Sequence, residues 1–160
     1  MGSRSSDEGS IAVRLRDLTI SDCISLASRL REIDQSELIL LSKEPNPDSA
    51  LIHAWLVSDI SWAWEVDGVV EACGGICTAK GFTNGWLVCS KDATKDKALF
   101  HRWAKAALWL LVSKYPSITT DTMVSSNHWK WLEHLGFEPG REFKVDGFLF
   151  RRYTGWFDQE

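Results

Sequence analysis

Apolar and polar positions alternate through Ile11 to Leu18 (IAVRLRDL), the pattern of a strand with one face in a core. The spacing then turns helical from Cys23 to Arg31, with Ile24, Leu26, Ala27 and Leu30 on one side and Ser21 or Asp22 as the N-cap. A second short helix is predicted from about Ser36 to Ser42. It opens on Asp34-Gln-Ser-Glu37, which has the shape of a capping box. Pro45 and Pro47 break it, and Asp48 starts a helix through about Ser58 that carries Leu51, Ile52, Trp55 and Leu56.

Ser61 to Val66 and Val69 to Ala79 read as strands flanking Asp67-Gly68, a strong hairpin signal. Gly74-Gly75 inside the second of them predicts a bulge or the close approach of another backbone or a ligand. Gly81 to Gly85 reads as a loop. Trp86 to Cys89 is a short apolar run, as expected of a central strand buried on both faces. The longest helix is predicted from Asp96 to about Lys114. Its apolar positions (Leu99, Phe100, Trp103, Ala107, Leu108, Leu110, Leu111) wrap beyond one stripe. Pro116 ends it, and Ile118 to Val124 reads as a strand. Asn127 to Leu135 reads as a helix stopped by Gly136, and Lys144 to Tyr153 holds a second Asp-Gly turn and a closing strand or hairpin. The order β-α-α-β-β-β-α-β-α-β is mixed α/β in one unit.

The chain has 160 residues, enough for one domain (11–160) behind a polar, Ser/Gly-rich tail (1–10). A hydrophobic share of 44% and a charged share of 25% are ordinary for a globular protein. The net charge of −4 gives no non-specific pull toward nucleic acid. No secretory signal and no membrane-spanning apolar run are visible. Nine Trp either fill a core or line a binding surface. Cys23, Cys73, Cys77 and Cys89 are too irregular for a disulfide framework. Cys73 and Cys77 share a strand face but lack further ligands at metal spacing, so no metal is expected.

The run of strand (86–90), long helix (96–114), strand (118–125), short helix (127–135) and Gly136-Phe137 resembles the GNAT acyltransferase fold. Trp131-Leu-Glu-His-Leu-Gly-Phe137 is its most recognisable piece, and Val13 to Asp22 is similar to the family's first strand and helix start. A narrower likeness rests on Ala27-Ser-Arg-Leu-Arg31 followed by Asp34, Glu37 and Leu38, on Tyr115-Pro116, and on Trp131-Leu132 before Leu135-Gly-Phe137. These segments look like GNAT-like proteins of short-tailed bacteriophages, a group described as internal virion or virion-assembly protein A. The two likenesses together cover roughly residues 11–150.

The resemblance implies acetyl-coenzyme A as cofactor, and it maps Val88, Ser90, Lys95, Asp96 and Lys97 onto the coenzyme site. The stretch Ser90 to Lys97 has no glycine, although a phosphate cradle wants bare N–H groups at a helix start. Lys91, Lys95 and Lys97 attract phosphate while Asp92 and Asp96 oppose it. The other reading is a solvated helix start capped by Asp96 or Thr94. The family's Tyr acid corresponds to Leu132, and its Asn to Ser125. The family's base on the central strand has no counterpart. Glu65 and Glu71 lie on the preceding hairpin, where alternation turns them to solvent. His128 starts the short helix near the cleft of such a fold. His101 reads as a surface or interhelix residue, His53 as helix surface, and Cys89 as a buried thiol. Glu71 and His128 are thus the two residues left as catalytic candidates.

Two functions follow. The first is a GNAT-like phage protein used in virion assembly or carried in the particle, with acetyl transfer weak or absent. It implies virion or host partner proteins, and a place in the host cytoplasm or the virion. The alternative is a working N-acetyltransferase acting on an amine. A cleft for another small ligand is a third.

Overall fold

The computed structural model describes residues 12–79, 81–93, 95–112 and 114–156. The predicted N-terminal tail lies outside them. The elements run β1 (Val13–Asp17), α1 (Ile20–Ala27), α2 (Glu32–Ser42), α3 (Pro47–Val57), β2 (Ile60–Val66), β3 (Val69–Ala79), β4 (Phe82–Cys89), α4 (Lys97–Val112), β5 (Ser117–Met123), α5 (His128–His134), β6 (Glu138–Val145) and β7 (Phe148–Trp156). The mixed α/β order is the expected one. The three helices read along the chain between the first two strands are all present, one more than the shorthand order counts, and the closing Asp146-Gly147 segment is a hairpin whose first strand starts at Glu138.

The strands form one sheet in the order β1-β2-β3-β4-β5-β7-β6. Every neighbouring pair is antiparallel except β4 and β5. These run parallel and meet at one register pair among the described residues, Asn84 with Thr119. Alternation sends neighbouring side chains to opposite faces. Cys73 and Val88 therefore pack under the α1–α3 face with Leu26, Leu30, Ala50 and Leu51. Ala72 and Cys89 pack under α4 with Phe100 and Trp103. Ile76 and Ile118 meet Leu132 of α5 and Tyr153 of β7. Among the described residues no helix is long and apolar enough to cross a membrane.

Local signals account for most element ends. The Asp67-Gly68 and Asp146-Gly147 turns hold both residues at positive φ (50° and 82°, 50° and 85°), the geometry of two-residue hairpins. Gly74-Gly75 carries no bulge; the register shifts instead at Trp64/Glu65 of β2. Gly74 serves close approach: a Cβ there would lie 2.6 Å from the Trp86 carbonyl oxygen.

Three local expectations fail for tertiary reasons. Helix α1 is capped by Thr19, which exchanges hydrogen bonds with Asp22, not by Ser21 or Asp22. Helix α2 begins at Glu32, so Asp34 and Glu37 form no capping box. The stretch Phe82 to Gly85, expected as loop, belongs to β4 because its ladder with β3 continues to Ala79–Phe82. Trp86 and Leu87 are only half-buried, since β4 borders a cleft rather than a sealed core.

Candidate functional site

The parting of β4 from β5 opens a cleft of about 810 Å³, a volume typical of small-molecule sites. Helix α2 supplies Glu37, α3 His53, β4 Leu87 and Val88, α4 Lys97 and His101, and α5 His128. The backbone orientation of β4 follows from its partners. Ser90 N–H donates to the Glu71 carbonyl of β3, so Cys89 turns the other way. Leu87, two residues back on an unbroken ladder, turns its N–H and C=O to the same side as Cys89, toward the gap.

Two carboxylates of α2 bridge the gap. Asp34, 1% exposed, accepts the Cys89 N–H at 2.9 Å. Glu37, one helical turn on, accepts the Met123 N–H of β5 at 3.0 Å and the Thr122 hydroxyl at 2.8 Å. Each strand end thus loses its ladder partner and gains a charged acceptor from one helix. The chain before α2 is stitched down as well. Arg31 N–H donates to the Cys89 carbonyl (3.1 Å), and Lys91 N–H to the Arg29 carbonyl (3.0 Å).

Arg31 closes this network. Its Nε and Nη2 donate to Asp34 at 3.1 and 3.0 Å, and Nη2 lies 2.7 Å from His128 Nε2. A guanidinium cannot accept, so in that contact His128 Nε2 is the acceptor; the same nitrogen lies 3.4 Å from Asp34 Oδ1, and the other ring nitrogen is Nδ1. That nitrogen faces Thr122 Oγ1 at 3.4 Å and Glu37 Oε1 at 3.5 Å. Ligand atoms of Asp34, Glu37 and His128 lie within 4.8 Å of one another, a spacing that suits a cation. The Arg31 guanidinium reaches into that cluster, paired with Asp34 and in contact with His128, which makes the cluster an ion-pair network.

The residues singled out in the sequence are dispersed. Val88, Lys97 and His128 line the cleft. Ser90 is buried, donating its hydroxyl to Glu71 and accepting the Ala93 N–H. Lys95 is exposed and paired with Asp92 at 2.9 Å. Asp96 accepts the Leu99 N–H at 3.0 Å and so caps α4; Thr94, the other cap considered, lies outside the described residues. Glu71 and Glu65 do not face open solvent as alternation suggests. Glu71 pairs with Arg29 at 2.7 Å and Glu65 with Arg16 at 3.0 Å, because the α1 side of the sheet brings arginines over them.

His101 accepts the Trp131 Nε1–H at 3.1 Å, an interhelix contact. Burial, then His134 and Lys105, hold its pKa below the ordinary value, so it is neutral. His53 is exposed at the cleft rim. Burial foremost, with Asp34 adding to it, pushes the Cys89 thiol far up and makes it a poor nucleophile.

Acetyl-coenzyme A fits this surface unevenly. The gap beside Leu87 suits the thioester end. At the diphosphate end, the Lys91, Ala93 and Lys95 N–H groups already donate within the chain. The N–H groups of Lys97 and Ala98, at the start of α4, have no partner within the helix, and Lys97 lines the cleft.

No family model matches the chain, and no curated protein matches it. Solved structures do. A candidate phosphinothricin N-acetyltransferase superposes with a TM-score of 0.70 at 14% identity, over 92% of this chain and 99% of that one. Ard1 from Thermoplasma volcanium gives 0.67 at 12%, over 91% and 98%. The ribosomal-protein-S18-alanine N-acetyltransferase from Escherichia coli gives 0.66 at 11%, over 91% and 94%. The fold is that of the GNAT N-acetyltransferases.

Sequence reasoning missed the meeting of Arg31, Asp34, Glu37 and His128. The available signal was an acid in an apolar stripe, since Asp34 lies midway between the buried Leu30 and Leu38 at helical spacing.

Proposed function

We propose that this protein binds an acyl-coenzyme A in the cleft between β4 and β5 and acts as a slow N-acyltransferase on an amine. The cleft carries this reading: a pocket of about 810 Å³ opens where two parallel strands part, with the Leu87 backbone beside it. Likeness to N-acetyltransferases of the same fold supports it. Acetyl-coenzyme A, when bound, supplies a thioester whose carbon–sulfur bond is exchanged for a carbon–nitrogen bond to the amine, the amine proton ending on the released thiol.

Slow turnover follows from the proton-moving groups. Both His128 ring nitrogens face partners inside the network, and Glu71 is held by Arg29. Asp121, at the cleft wall, receives two hydrogen bonds from Arg152. Leu132 stands where the family places its acid and cannot donate a proton. His53, at the rim, is the base left for an incoming amine.

Calorimetry with acetyl-coenzyme A tests the binding claim. Heat is expected at submillimolar ligand, and its absence up to about millimolar, near −4 kcal/mol of binding, overturns the claim.

The second reading is an internal virion or virion-assembly protein working beside host or virion partners. This reading rests on the likeness of the segment holding Arg31, Asp34 and Glu37 to proteins of that phage group. Mass spectrometry of purified particles and assembly intermediates tests it, and absence from both sinks it.

A further inference from the structure

Beside the cleft, beneath α4, lies a smaller cavity of about 90 Å³. It shares Gly85, Leu87, Thr120 and Leu132 with the cleft, so the two adjoin along β4. Ala104 and Ala107 of α4 stand above it, and Ile76, Leu87 and Ile118 of the sheet lie below. Its walls are carbon almost throughout. Trp62 and Trp103 also line it, and the indole N–H of each is buried without an acceptor among the described residues. Trp103 is only 6% exposed.

We infer that this side pocket accepts the acyl chain of the donor, and that the preferred thioester carries a short chain longer than acetyl. The inference rests on the acyl-coenzyme A reading above. At roughly 30 Å³ for each water-sized group, the cavity holds about three such groups, the reach of a propionyl to butyryl chain. The side pocket meets the cleft at Leu87, whose backbone faces the gap, so a thioester lying there turns its chain under α4. Burying each methylene strengthens binding about fourfold, and two give roughly 15-fold.

The test is calorimetry with acetyl-, butyryl- and octanoyl-coenzyme A on the full chain and on Ala107→Leu, which fills the pocket from its roof. Butyryl is expected to bind about tenfold or more tighter than acetyl, with octanoyl falling back. Ala107→Leu removes the preference for butyryl over acetyl. If that variant does not fold, the wild-type chain-length series alone decides, read also through tryptophan fluorescence, since Trp62 and Trp103 line the pocket. Equal affinity for acetyl and butyryl overturns this inference and leaves the acyl-coenzyme A reading standing. No binding of any of the three overturns both.

Discussion

Removing the Asp34 carboxylate is the sharpest perturbation of the joint between β4 and β5. In Asp34→Ala the buried Cys89 N–H loses its acceptor, and Arg31 keeps only the His128 ring nitrogen and solvent. An unsatisfied buried donor costs about 1–3 kcal/mol, and breaking a fully buried ion pair costs about 3–5 kcal/mol. The Arg31 side chain is 27% exposed, so water recovers part of the second term, and about 3 kcal/mol is expected in total. With a urea slope of about 2 kcal/mol per M, the midpoint falls by about 1.5 M. Asp34→Asn keeps an oxygen for the Cys89 N–H while losing the charge, and should fall by about half as much. The assay is urea unfolding followed by tryptophan fluorescence and circular dichroism together, to check a single transition. A drop of less than about 0.25 M for Asp34→Ala would show that the carboxylate does not hold the strands together.

Three further outcomes are expected. The Asp22 carboxyl is held below its ordinary pKa, first by hydrogen bonds from Arg16 and also by Thr19. Its stabilisation is therefore complete above the unfolded value near 3.9 and is lost as pH falls through the lower folded value. Asp22→Asn should flatten the acid limb of stability against pH, and an unchanged limb refutes the assignment. Cys23, Cys73 and Cys89 are buried, with burial raising each thiol pKa (Cys23 to about 11), whereas Cys77 is half-buried beside the cleft. Native protein should thus show one fast thiol toward a disulfide reagent and all four after unfolding; two or more fast native thiols contradict the packing. Gly74→Ala puts a Cβ within 2.6 Å of the Trp86 carbonyl and should cost about 1–3 kcal/mol or more in melting experiments. Gly68→Ala meets open space and strains only a backbone at φ +82°, so it should cost about 1 kcal/mol; equal losses would mean the strands absorb the clash.

The turns and helix ends of the fold were legible where their punctuation is local. Gly136 sits at φ +100° after α5, and the two Asp-Gly turns adopt the conformation their residues favour. The pattern misled where one residue or stretch had two local uses. Asp34 suits a cap by propensity, yet the structure takes it as an acceptor for a strand end 55 positions away. Phe82 to Gly85 is turn-like in composition, and pairing with β3 overrides that. The cleft itself followed from the fold resemblance, but its wall did not. The approach of Arg31 to His128 spans 97 positions, and no periodicity in one sequence carries such a distance.

The α2 bridge also makes a mechanical statement about the molecule. Strands β1–β4 form one plate and β5–β7 another, with Asn84 and Thr119 as their hinge. Asp34 and Glu37 act as a clasp at the far end of that hinge, each gripping an amide of a different plate. A rotation of the plates must release at least one of these grips. Hydrogen exchange at the Cys89 and Met123 amides, remote from each other in the chain, reports which grip lets go, and the clasp sets how wide the space between the plates can become.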